Sequence, residues 1–344
     1  MIKICRILDT LNIIDQMSLK HNLLILGSQN NNPADQNLDR DEIRPVQILH
    51  RDAHSEPVNF FNNWGKVGVS SIAWKKHNRN QLIVSINDEL RKLDTKTGKF
   101  TKLDIPRIYD LHDIHYLGDS LWISNTEFDE VIEYNTKQEN IIRRISLDKF
   151  RTQKELQKAS EEKVRDRFHC NQVFRNYEGN LCVLIHHVSG WQYYRILLEK
   201  LVKNQGDGGV INLDKETVVP LKLQSPHSLR MIDGDYWIQD SGDFSTKIYN
   251  SNWELITEIE NGGFGRGVDF SLKKNRVYIG LSATRKRYLK VIPSGGYHLN
   301  RILVVDPESK IKMDEIPVYH IEQLDNVYIL DENEVEIFRN LDRL

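Results

Sequence analysis

The sequence predicts an all-β fold, a propeller of six four-stranded blades. Three observations carry this: a unit of short apolar strands that repeats along the chain, a β-turn signal at the same point of each unit, and a last unit that runs out of strands while the N-terminal segment holds spare ones.

The repeat is visible in LIVSINDELRKLD (from Leu82), LWISNTEFDEVIEYN (from Leu121), YWIQDSGDFSTKIYN (from Tyr236) and VYIGLSATRKR (from Val277). Each begins with an apolar strand, breaks at polar residues and usually resumes as a second strand. The turns that follow are rich in Asp, Asn, Gly, Ser and Pro, as at Asp94 to Gly98, Asn135 to Gln138, Asp214 to Thr217, Asn250 to Asn252 and Asp306 to Ser309. After each turn comes a further β-rich run, and one more strand with its own turn precedes each unit. Four strands per unit at a period of roughly 40 to 60 residues is the pattern of propeller blades.

Complete units run from Ser70 to Pro317, and a sixth begins at Val318. NLLILGS (from Asn22) and PVQILH (from Pro45) supply its missing strands, closing the ring and removing exposed edges. A seventh blade would require residues 1–65 to form one by themselves. Residues 1–65 are therefore read as an N-terminal helix, in CRILDTLNIIDQM, plus ring-closing strands, and 66–344 as the blades of the same domain.

Bulk properties narrow the partners. A formal net charge of −2 gives no general attraction to nucleic acid or to anionic membranes, so neither is an expected partner. Apolar runs stop short of membrane-spanning length, and the N-terminus lacks the features of a secretory signal. Three cysteines without CxxC spacing argue against a disulfide framework and a cysteine zinc site. A reducing, cytoplasmic location is expected. The oligomeric state is left open.

Aligning the inner strands places Ser70, His112, His169, His227, Arg266 and Tyr319 at one repeat position, in the contexts VSSIAW, LHDIHY, FHCNQVF, PHSLRM, GRGVDF and VYHIEQ. Inner strands line the central channel, so this position forms a ring about the axis. Three imidazoles converging with open positions left over are the ligand set of a catalytic divalent metal, so His112, His169 and His227 are the predicted metal ligands. Imidazoles alone do not separate zinc, manganese, iron or copper. His186 and His187, after a second strand, read as surface or lid residues.

The three large insertions fall at Leu147 to Phe168, Val188 to Gly209 and Thr284 to Leu299, and the first reads as a charged helix. Propeller topology opens all three on the face where the inner strands begin, over the predicted ring. Arg285, Lys286, Arg287 and Lys290 lie in the last, and Arg266 stands in the ring itself, which points to an anionic ligand. Arg266, Arg285 and Arg287 are thus expected to bind substrate, with Asn125 and Asp240 from a second polar ring that also includes Asp331. Tyr319 is a candidate for proton transfer beside Arg266 as a catalytic pair. Cys170, next to His169, alternates to the opposite strand face and is a poor nucleophile candidate. No dinucleotide loop, phosphate loop, H-E-x-x-H or nucleophile elbow occurs.

DLHDIHYLGDSLWISNT (from Asp110), PHSLRMIDGDYWIQDSGD (from Pro226) and FGRGVDF resemble a family of uncharacterised bacterial propeller proteins, over residues 66 to 331. The resemblance implies the fold and no activity. In plan the site is similar to that of metal-dependent propeller lyases, such as oligogalacturonate lyase and virginiamycin B lyase, whose axial histidines and divalent metal acidify a proton beside a carboxylate or carbonyl. Blade number and motifs depart from that group, so only the site is comparable.

The sequence thus points to a metal-dependent enzyme acting on an anionic small molecule, saccharide or peptide, by elimination or isomerisation next to a carboxylate. A hydrolase, an oxygenase, and a non-enzymatic propeller binding an anionic ligand or a protein are the alternatives.

Overall fold

The computed structural model describes residues 19–30, 33–62, 68–75, 78–86, 89–151, 166–189, 206–286 and 299–344. These form six four-stranded antiparallel sheets. The inner strands of blades one to five are Val69–Lys75, Leu111–Leu117, Cys170–Arg175, Pro226–Ile232 and Phe264–Ser271. Their second strands are Asn78–Ile86, Ser120–Asn125, Leu181–Ile185, Asp235–Asp240 and Arg276–Ser282. Blade six takes its inner strand, Gln323–Leu330, from the C-terminal part of the chain and its other three, Asn22–Ser28, Val46–Leu49 and Ser55–Pro57, from the N-terminal part. The predicted closure by both ends of the chain is what the fold shows.

The core is divided among the gaps between blades, because each sheet is apolar on both faces and packs a neighbour on each side. Ala73 and Ile83 of blade one meet Leu121 and Ile123 of blade two, and Trp122 of blade two meets Val173 and Val183 of blade three. At the closure, Leu24 and Leu26 pack on Ile72 and Val84. The helix α1 (Glu332–Leu341), started by a capping box at Asp331, adds Val335, Phe338 and Leu341 to the same cluster. Asp331 also pairs with Arg79 at 2.6 Å, away from any channel role. Leu24→Ala, at a fully buried position of the closing strand, is expected to lower unfolding free energy by about 2–5 kcal/mol in urea titrations.

His21, just before the closing strand, accepts or donates a hydrogen bond at 2.9 Å with the Tyr278 hydroxyl. Burial, then the charges of Lys274, Arg51 and Arg276, lower its pKa to about 4. The unfolded chain therefore takes up a proton that the fold refuses between pH 6.5 and 4, and stability falls as pH drops through that window. Thermal melts against pH should show a shallower fall for His21→Gln than for the parent chain.

The registers fix the axial ring. Ile72 pairs with Val84, Ile114 with Ile123, Val173 with Val183, Leu229 with Ile238, Val268 with Ile279 and Val327 with Ile25. A bulge precedes this pair in every blade, where the inner strand bends toward the channel. Two residues before the pair stand Ser70, His112, Asn171, His227, Arg266 and Asp325. Blades three and six thus depart from the sequence alignment. In blade three the strand starts at Cys170, so His169 stands two residues upstream of the ring position. In blade six Val318 ends the outer strand of blade five, and Gln323–Leu330 is the inner strand, so Asp325 holds the place assigned to Tyr319. Gly267 at the blade-five bulge has φ of 64°, and a β-carbon there would lie 2.6 Å from the Val327 nitrogen, so only glycine fits.

The predicted N-terminal helix, and residues 152–165 of the predicted charged helix, lie outside the described residues. Leu147–Phe150 before them is a 3-10 turn capped by the Ser146 hydroxyl. Among the described residues, no helix is long and apolar enough to cross a membrane.

Candidate metal centre

Three buried side chains hold the connections that enter the inner strands, and these connections carry the site. Asn125, fully buried at the end of the second strand of blade two, accepts from the Tyr109 nitrogen at 2.9 Å and donates to the Arg107 carbonyl at 2.8 Å. This fixes the turn leading to Asp110 and His112. Asp129 takes the backbone nitrogens of Arg167 (2.7 Å), Phe168 (3.0 Å) and His169 (3.2 Å), and also pairs with the buried Arg151 guanidinium. Asp240 accepts from the Gln224 nitrogen and pairs with Lys247 at 2.6 Å, holding the turn before His227. Asn125 and Asp240, expected to bind substrate, therefore have their polar atoms engaged in positioning backbone. Asp110, His169 and Ser225, at φ of 53°, 52° and 53°, occupy the left-handed region on these clamped turns. Such strain persists only where surrounding bonds over-determine it.

The clamps bring four imidazoles together. Ring centroids of His112 and His169 lie 4.6 Å apart, His169 and His186 4.4 Å, His186 and His227 5.1 Å, and His227 and His112 5.9 Å, a closed quadrilateral at the channel mouth. One ligand atom from each of Asp110, His112 and His169 lies within 4.8 Å of the others, a group able to hold a metal ion. His227 and His186 stand beside this group and outside it. Asp110, two residues before His112, and His186 are the members that sequence reasoning missed. His186 is buried rather than exposed, and its nitrogen donates to the Phe168 carbonyl at 3.0 Å.

Outer bonds orient two of the rings. His169 Nδ1 lies 2.8 Å from the Asp166 carboxylate, and His227 Nδ1 lies 2.9 Å from the Ser225 carbonyl and 3.0 Å from Ser241 Oγ. A carboxylate or carbonyl on one ring nitrogen, leaving the other for a ligand, is the usual support of a metal-binding imidazole. Burial, then the charges of Arg266, His112 and His169, hold the His227 pKa well below its ordinary value, so its ring is neutral. Burial opposes ionisation of Asp110, but the charge and hydrogen bond of His112, with the charges of His169 and Arg266, outweigh it and keep its carboxyl below the usual range. An ionised Asp110 carboxylate and a neutral His227 ring beside it suit a bound divalent cation, and in this respect the residues fit one.

Arg266 lies 3.3 Å from Asp325 and over the Phe264 ring, whose centroid is 5.4 Å from that of His227. Arg285 donates to the Gln323 side chain, which donates in turn to Asp325 at 2.7 Å. Arg266 thus meets the Asp325 carboxylate directly and Arg285 is linked to it through Gln323. Arg287 and Lys290 lie outside the described residues, and Lys286 binds the Gln36 carbonyl at 2.8 Å. Tyr319 is 56% exposed in the connection between blades five and six, where its carbonyl accepts from Gln47. Burial pushes the Cys170 thiol well above its ordinary pKa and that of Cys182 up to about 12, which leaves neither a nucleophile.

The fold has solved counterparts. A protein of unknown function from Bacteroides caccae is 14% identical, with a TM-score of 0.52 over 89% of this chain and 97% of that one. A chain of a nidogen/laminin complex is 10% identical, with a TM-score of 0.55 over 89% and 97%. Likeness at this identity shows the propeller fold alone. Virginiamycin B lyase from Staphylococcus aureus, solved with quinupristin, is 12% identical with a TM-score of 0.47 over 74% and 72%. No curated protein matches the chain significantly. Residues 75–295 match the family model described as a domain of unknown function, DUF4915, and because that match spans more than half of the chain, the protein belongs to this family.

Proposed function

We propose that the protein is a metal-dependent enzyme whose cation is held by Asp110, His112 and His169, and which acts on an anionic substrate at the propeller mouth. The observation that carries this reading is the convergence of three ligand atoms within 4.8 Å on turns held in left-handed conformation by buried clamps. A bound divalent cation supplies Lewis acidity toward a substrate oxygen. Around it, His227 presents a neutral imidazole able to take a proton, and Arg266 offers a guanidinium to a carboxylate. Asp325 holds that guanidinium in place and offsets its charge, so binding of the anion re-partners Arg266 between two carboxylates. Proton abstraction beside the carboxylate, leading to elimination or isomerisation on a uronate or a modified peptide, suits a neutral base next to a polarised oxygen.

The test is deuterium exchange and product formation by NMR. Metal-loaded protein is incubated in heavy water with a panel of uronate oligosaccharides and ester-linked peptides. Metal-dependent exchange at the carbon next to the carboxylate, lost in His112→Ala and reduced about 10-fold or more in Arg266→Gln, is the expected result. Binding of panel members without exchange or turnover would overturn the enzyme reading in favour of a propeller that only binds anions.

A further inference from the structure

We infer that His186 completes the centre, so that the cation meets three imidazoles and one carboxylate and the site selects zinc, iron(II), nickel or copper over magnesium and calcium, while His227 stays off the ion as the base. This rests on the metal reading above and names the class of ion it takes.

The ring spacing carries the argument. With a metal-to-nitrogen distance of about 2.1 Å, the ion lies about 3.2 Å from each ring centroid, and two rings at a tetrahedral angle stand about 5.2 Å apart. At a right angle they stand about 4.5 Å apart by the same construction. His169 stands 4.6 Å from His112 and 4.4 Å from His186, both at the right-angle spacing. These neighbouring rings therefore have the separations of adjacent ligands on one ion, beside the Asp110 carboxylate.

The backbone ties the extra member to the first ones. The His186 backbone nitrogen donates to the carbonyls of Phe168 (3.0 Å) and His169 (3.3 Å), so the paired ends of the first two strands of blade three hold His186 beside His169. A set dominated by imidazole is a poor match for magnesium and calcium, which prefer oxygen donors, and a good one for the later first-row ions.

The test uses the full chain, stripped with chelator and titrated against a competing chromophoric chelator. Zinc is expected to bind at least about 1,000-fold more tightly than magnesium. X-ray absorption at the zinc edge of the parent protein should show scattering from three imidazoles. His186→Gln should lower zinc affinity about 10- to 100-fold and alter the visible spectrum of the cobalt(II) form, with the stripped variant melting as the parent does. Equal affinity for magnesium and zinc, or two imidazoles only with an unchanged cobalt spectrum in His186→Gln, would overturn the inference. In that case loss of binding in His112→Ala alone would still uphold the smaller centre. Absence of any binding by the parent chain would remove both.

Discussion

Alanine at both His112 and His169 is expected to reduce zinc affinity by more than about 100-fold while leaving the propeller folded. Loss of a hydrogen-bond partner of a ligand already costs about 10- to 100-fold, and here two ligands themselves are removed from a group of three. Folding should survive because both side chains sit on the mouth rather than in the gaps between blades, where the apolar clusters lie. The His169 side chain is only 12% exposed, yet it faces the His112 and His186 rings and its Nδ1 binds Asp166. Competition titration and circular dichroism on the same samples separate the two effects.

Asp129→Ala should have the largest effect on stability. Asp129 and Arg151 form a buried ion pair, with side chains 0% and 4% exposed. Removing one partner of such a pair costs about 3–5 kcal/mol, because the buried Arg151 charge loses its buried counter-ion and keeps the exposed Asp148 at 3.2 Å. The nitrogens of Arg167, Phe168 and His169 would lose their acceptor as well. Since this carboxylate holds the left-handed turn at His169, metal affinity should fall with stability. Asp129→Glu should recover part of both, and Arg151→Met, which leaves the acceptor in place, should recover metal affinity more than stability. Urea unfolding of the stripped proteins, paired with zinc titration, reads the two quantities independently.

The fold was legible because propeller strands are short, apolar and bounded by turn residues, so the repeat survives divergence among the blades. Closure by the N-terminal strands followed from a count of missing strands. The axial ring was legible only in part. In blades one, two, four and five the aligned residue stands at the bulge, two residues before the central strand pair, but in blades three and six the chain enters the strand with a different number of residues. His169 preceded Cys170 closely enough to reach the mouth from the connection, whereas Tyr319 did not, and Asp325 was hidden in the run QLDNVYIL. Asp110 and His186 escaped because the centre is assembled from connections at two levels, and strand alignment samples one. Asn125 and Asp240 show a different limit. A polar residue at the end of a second strand reads alike whether it faces ligand or clamps backbone, and only the partners of its side chain distinguish the two.

The most direct test of the account is anomalous diffraction from crystals grown with zinc, recorded on both sides of the zinc absorption edge. One strong peak is expected at the channel mouth, about 2.0–2.2 Å from ligand atoms of Asp110, His112 and His169. No peak beside these residues, or zinc bound only at surface carboxylates, would contradict a metal centre at this site.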